Sequence, residues 1–103
     1  MLFQVNYSTR SGGSVQDNEA SSKRAMALFS KWSPPAGVEI KSFYARADGR
    51  GGTIILETDN VEALADGPAK FGAINEFEIT PILDITTAVP IYNDAIAWAD
   101  SIT

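Results

Sequence analysis

The chain contains no cysteine and no histidine, and these two absences remove most of the usual site chemistry. Without thiols there is neither a disulfide nor a thiolate metal centre, so stability must come from packing alone. Without imidazole the commonest metal ligand is missing, as is the usual base beside a serine nucleophile. No Asp/Glu spacing matches a calcium loop, so neither a metal nor a cofactor is expected. Bases are scarce too: eight Lys and Arg stand against thirteen Asp and Glu, giving a net charge of −5. Nucleic acid and anionic membrane surfaces both need a positive patch, and the bases never cluster beyond Lys23-Arg24. No apolar run is long enough to span a bilayer, and MLFQVNYSTR lacks the basic start and long apolar stretch of a signal peptide. The expectation is a cytoplasmic protein with neither nucleic acid nor membrane among its partners.

What is present is enough for one core. With 103 residues, 45% hydrophobic and ten of them aromatic, residues 1–103 should form a single α+β domain. Residues 38–59 (VEIKSFYARADGRGGTIILETD) read as a β-hairpin, because apolar and polar residues alternate up to a Gly-rich turn and resume after it. With Asp48 to Gly51 as a four-residue loop, Ala45 is predicted opposite Ile54, Tyr44 opposite Ile55, Phe43 opposite Leu56 and Ser42 opposite Glu57. One face then carries Phe43, Ala45, Ile54 and Leu56. The other is mixed, with Tyr44, Arg46, Thr53, Ile55 and Glu57, and holds an acid and a base within diagonal reach.

In chain order, residues 2–8 (LFQVNYS) alternate as a strand with Phe3, Val5 and Tyr7 on one side. A Gly- and Ser-rich loop leads to a helix capped by Asp17 or Asn18 and carrying a stripe of Ala25, Met26, Phe29 and Trp32, stopped by Pro34-Pro35. After the hairpin, Asp59 or Asn60 caps a helix over residues 61–71 that Pro68 should kink or split. Residues 74–84 alternate Phe77, Ile79 and Leu83 against Glu76, Glu78, Thr80 and Ile82, and Pro81 marks an edge strand. Ile91, Ala95, Trp98 and Ile102 describe one stripe of a C-terminal helical extension, residues 86–103, with Pro90 in its first turn.

This βαββαβ order predicts a ferredoxin-like, four-stranded antiparallel sheet with helices on one face, plus a C-terminal helix. The uncovered face should carry Gln4, Asn6, Ser42, Tyr44, Arg46, Ile55, Glu57, Glu76, Glu78, Thr80 and Ile82. That set is too apolar to be purely wet and too polar for a dry core. A homodimer with facing sheets around a mixed cavity, an assembly of the dimeric α/β-barrel type, would satisfy it.

Three segments carry a family resemblance: MLFQV at residues 1–5, GGTIILETD at 51–59 and FEITPILD at 77–84. Together they resemble the domain of unknown function 3303 family, small bacterial proteins with a ferredoxin-like fold, over most of the chain up to about Asp84. The resemblance implies the fold and a dimer, and no reaction. The family commonly places a histidine after an aromatic residue near the end of the second strand, where this chain reads Tyr44-Ala45, so no role of that histidine carries over.

The candidate ligand-binding residues are Gln4, Asn6, Tyr44, Arg46, Glu57 and Thr80. An aromatic beside a cross-strand charge pair is more often ordinary sheet packing than a site. The stretch Gly49-Arg50-Gly51-Gly52 could cradle an anion, but no helix follows it and a hairpin turn is the simpler reading. The loop at residues 9–14 is likewise read as a connection. Glu76 and Glu78 could share a proton or a cation, but solvated edge charges that discourage strand addition are the simpler reading. Trp32 and Trp98 are expected in core or subunit contacts.

The preferred function is a homodimer that binds a small molecule or a protein partner on the open sheet face. The alternative is a cofactor-independent oxygenase or isomerase of the dimeric α/β-barrel type, with Tyr44 or Glu57 as acid or base. A third reading docks the C-terminal helix on another protein.

Overall fold

Alternation in four segments does build one antiparallel sheet, in the order β2-β3-β1-β4. The computed structural model describes residues 1–10 and 12–102. Ser11, in the predicted loop after the first strand, and Thr103, the end of the predicted extension, lie outside the described residues. The elements are β1 (Leu2–Thr9), α1 (Val15–Lys31), β2 (Glu39–Ala45), β3 (Gly51–Glu57), a 3-10 turn (Val61–Ala65), α2 (Asp66–Phe71), β4 (Asn75–Ile82) and α3 (Ile85–Asp100). With β1 and β3 central, this is the expected ferredoxin-like α+β arrangement with an added C-terminal helix.

The hairpin register differs from expectation by two residues: Ala45 pairs with Gly52, Tyr44 with Thr53, Phe43 with Ile54 and Ser42 with Ile55. The loop is residues 47–50, closed by a bond from the Arg46 amide to the Gly51 carbonyl (2.8 Å). Gly51 and Gly52 therefore belong to the strand, because β1 approaches them too closely for side chains. A Cβ on Gly51 would lie 1.9 Å from the Tyr7 carbonyl oxygen, and one on Gly52 would lie 2.4 Å from the Tyr44 carbonyl oxygen and 2.5 Å from the Tyr7 hydroxyl. A shift of two preserves which face each side chain occupies. The faces stand as expected from Ser42 to Ala45.

Beyond Ser42 the ladder breaks at a bulge between Ile40 and Ser42, leaving Lys41 as the extra residue. Ile40 thereby pairs with Leu56 on the same side as Phe43. Regular alternation would have put Lys41 there instead.

Local chemistry sets the helix ends. Ser14, not Asp17 or Asn18, caps α1: its hydroxyl accepts the Asp17 amide (3.1 Å) while the Asp17 carboxylate accepts the Ser14 amide (3.4 Å). This reciprocal box satisfies two amides that the first turn leaves free. Asn60 caps the 3-10 turn, and the helical stretch divides at Asp66, with Pro68 in the first turn of α2. β4 ends at Ile82, so Leu83 leaves the sheet and is exposed rather than turned under the helices. Asp84 caps α3 through the Thr86 amide (2.8 Å), so the helix begins earlier than expected and Pro90 falls inside it, past the first turn.

Phe3, Val5 and Leu56 form the centre of the core, with Ile54, Leu64, Phe77 and Ile79 packed against it. A chain of aromatic rings ties the layers together. Phe77, Tyr7 and Phe43 meet across the sheet, Phe43 meets Phe29 of α1 edge-on at 5.8 Å, and Trp32 meets Phe71 of α2 at 6.2 Å. The Trp32 indole N–H also donates to Asp66 (2.9 Å). Yet α1 buries none of its residues. It meets the sheet through the Phe29 ring on Phe43, and only Ala25 and Leu28 are half-buried along it.

The last helix stands off further. After buried Ala88, every residue of α3 is exposed, including Tyr92, Ile96 and Trp98. Trp98 thus sits outside the core. The radius of gyration is 18.2 Å and the long axis 62 Å, against roughly 13 Å expected for a compact chain of this length.

Candidate binding face

Pairing across all four strands lays the open face out as rungs. Tyr44, Thr53, Asn6 and Glu78 make one rung; Ser42, Ile55, Gln4 and Thr80 the next; Glu57, Leu2 and Ile82 follow. Toward the hairpin, Gly51, Ser8 and Glu76 complete the ladder beside Arg46. At the centre, the Thr53 hydroxyl donates to the Asn6 side-chain carbonyl (2.8 Å), which fixes the amide on the sheet surface.

Four of the expected ligand residues, Gln4, Asn6, Tyr44 and Thr80, thus fall on two adjacent rungs. Tyr44 is 68% exposed, so its ring and hydroxyl are free to meet another molecule. The other two are drawn aside. Arg46 is bound to Asp48 within the loop, and Glu57 is bound by Lys41 (3.3 Å). Arg46 closes the hairpin at Gly51, six positions along β3 from Glu57, a separation of about 20 Å. The expected acid and base do not meet.

Lys41 is the base that Glu57 does meet. It also pairs with Glu39 (3.2 Å), and the hydrogen bonds that it donates to Glu39 and then Glu57 hold its ammonium pKa above the ordinary lysine value. The sequence carried a sign of this residue. Ile40 and Phe43 are both apolar but three apart, which no regular strand places on one face, so one residue between them had to bulge. The loop carboxylate of Asp48 is held below its ordinary range by the Arg50 amide and then by Arg46.

At the hairpin end the open face hollows into a groove of about 480 Å³, bordered by Asn6, Ser8, Thr53, Glu76 and Glu78. Glu76 pairs with Arg10 (3.2 Å), whose Nε also donates to the Gly72 carbonyl (2.8 Å). The pair therefore pins β4 to the loop after β1. Among the described residues no group of three Asp or Glu converges as a metal site, and no helix is long and apolar enough to cross a membrane.

A second hollow lies on the other side of the sheet, where α1 stands off. It measures about 500 Å³ and is lined chiefly by hydrocarbon and rings, among them Met26, Phe29, Phe43, Ile54 and Leu64. Tyr7 sits at its edge, and partial burial pushes its hydroxyl pKa up. The α1 stripe was legible in the sequence, but the gap beneath it was not. Helical spacing says which residues face the sheet and nothing about how close they come.

The order of strands, the one-sided helical layer and the rung pattern define a ferredoxin-like α+β protein. Residues 1–96 match the family described as Domain of unknown function (DUF3303), and the chain belongs to that family. The match takes in most of α3 as well as the sheet. No curated protein matches the chain.

Proposed function

We propose that the protein is a homodimer that binds a small molecule between facing open sheets, through Gln4, Asn6, Tyr44 and Thr80. Arg46 and Glu57 mark the two ends of that face. The observation that supports this reading is the surface the single chain leaves uncovered. Its accessible area is 7520 Å², whereas a compact monomer of 11.0 kDa exposes about 5,600 Å². The excess of about 1,900 Å² is more than the roughly 800 Å² that each partner gives to a standard interface. Mixed polarity on the central rungs, with Ile55 beside Gln4 and Thr80, suits a cavity that is neither solvent nor core.

Catalysis finds less support. Glu57, the carboxylate first considered for acid–base work, is half-exposed and engaged by Lys41, whereas a catalytic carboxylate is tuned in a closed, largely dry site.

Native mass spectrometry of the protein purified from its source tests the reading directly. A species of twice the chain mass carrying an additional small molecule is expected, and Tyr44→Ala should lose that molecule while its circular dichroism stays unchanged. A bare monomer at micromolar concentration overturns it.

A further inference from the structure

Two stretches of exposed apolar surface stand apart from the open sheet face. One is α3, where Val89, Tyr92, Ile96 and Trp98 stand free of the rest of the chain. The other is the hollow under α1, whose rim residues Met26 and Phe43 are 69% and 37% exposed. An apolar lining with no facing atoms forfeits its dispersion contacts. A helix of mixed hydrocarbon and aromatic residues with no tertiary partner gains nothing from its amphipathic composition.

We infer that α3 of one copy docks on the α1 groove of a second copy, so that two chains exchange arms. This rests on the homodimer proposed above and adds what fastens it. Three observations favour a second copy as the occupant. First, arm and groove are both present on each chain, which gives the self-complementary pairing that two-fold dimers use. Second, the excess of about 1,900 Å² per chain doubles to an interface of obligate size. Third, the charges match. All eight Lys and Arg lie at or before Lys70, while five acids follow it, so the segment holding α3 carries the whole net charge of −5. Asp94 and Asp100 lie to either side of Ile96 on the arm, and Lys23 and Arg24 lie on α1 within a turn before Met26.

In a dimer of facing sheets, the arm must pass the partner's sheet, stacked about 10 Å away, and continue about as far again to the helical layer. Sixteen helical residues span about 24 Å and place Ile96 about 17 Å from the helix start, within a side chain's length of that distance. The groove is too small for a whole helix, so it takes side chains from the far end of the arm, Ile96 foremost. Folding back onto the same chain is disfavoured because α3 is a continuous helix fixed at its start by the Asp84 cap and by buried Ala88.

The absence of cysteine makes a clean test possible. The full-length double variant Met26→Cys/Ile96→Cys, oxidised at micromolar concentration, is expected to give a disulfide-linked dimer on non-reducing mass spectrometry, with little intrachain bond. Both positions are exposed in the single chain, so the fold is retained. Ile96→Asp in the otherwise unaltered chain should raise the dimer dissociation constant at least 10-fold. If the protein remains dimeric with no link formed and no response to Ile96→Asp, arm exchange is overturned while the facing-sheet dimer stands. If it is monomeric throughout, both fall. An intrachain bond at monomer mass overturns arm exchange by showing that the arm covers its own groove.

Discussion

On the helical side of the sheet, the rung Phe43, Ile54, Val5, Ile79 runs from edge to edge in hydrocarbon and rings. One residue along, on the open side, Tyr44, Thr53, Asn6 and Glu78 carry a polar atom on every member. The same backbone hydrogen bonds serve both rungs, so the difference lies entirely in side chains. Burial stabilises in proportion to apolar area removed from water, which locates monomer stability on one face and leaves the other free to bind. The two faces are also unequal in completeness. The helical face is sealed around Phe3 and open under α1, where the hollow reaches Ile54 and Leu64.

Substitutions on the sealed part should have the largest effect. Phe3 is 4% exposed, and Phe3→Ala is expected to cost about 3–5 kcal/mol by losing both transfer energy and packing. For a chain this small that is much of the total stability, so the urea midpoint should fall sharply. Phe43 lies on the same face beside the hollow, where one side of its ring already lacks neighbours. Phe43→Ala should therefore cost less, about 2 kcal/mol. Equal losses at the two positions would show that the hollow is filled in solution. Gly52→Ala forces a methyl group against the Tyr44 carbonyl and the Tyr7 ring. Such overpacking costs about 1–3 kcal/mol, and the change should appear in thermal unfolding together with altered tyrosine fluorescence.

The comparison also explains how much was legible beforehand. Period-two alternation in residues 2–8 and 74–84, with the hairpin between, was enough for strand order and for the faces as far as Ile82, because parity survives a register shift of two. The register itself was not legible. Gly51 and Gly52 read locally as turn residues, and only the approach of Tyr7 from β1 makes them strand residues. Lys41 differs, since the three-residue spacing of Ile40 and Phe43 signals a bulge, and only the pairing with β3 shows which residue bulges. Of the candidate face, the sequence placed Gln4, Asn6, Tyr44 and Thr80 together. It could not show that Arg46 and Glu57 are occupied by Asp48 and Lys41. Helix starts shifted for a nearby reason, since Ser14 and Asp17 make a reciprocal pair that Asp17 alone does not announce.

Acid should act more weakly than the core substitutions. Asp48 is lowered from its ordinary pKa chiefly by the Arg50 amide, Asp66 by Lys70 and then Trp32, and Asp84 by the Thr86 side chain and then its amide. A depressed carboxylate contributes stability that is fully present above its unfolded value, about 3.9, and is lost as pH falls through the folded value. Lys41 works in the opposite sense: its raised pKa contributes stability present below about 10.4 and lost as pH climbs through the folded value. With no histidine in the chain, no side chain of ordinary pKa titrates between about 5 and 9. The urea midpoint should be level across that window and decline below about pH 4. A step near pH 6.5 would contradict these assignments.

The smallest effect on the fold itself should come from Tyr44, although it adjoins Phe43 in sequence. Its side chain points away from the helical layer and is largely in water, so Tyr44→Ala in an isolated chain should change stability by no more than about 0.5 kcal/mol. If the open face meets a second copy, mass action adds a term that grows with protein concentration, because whatever binds only the folded chain stabilises it. Unfolding of the unaltered protein and of Tyr44→Ala should then coincide at the lowest concentrations and diverge as concentration rises. A constant difference of 2 kcal/mol or more at every concentration would mean that Tyr44 supports the monomer, and that the two faces share the burden that this structure assigns to one.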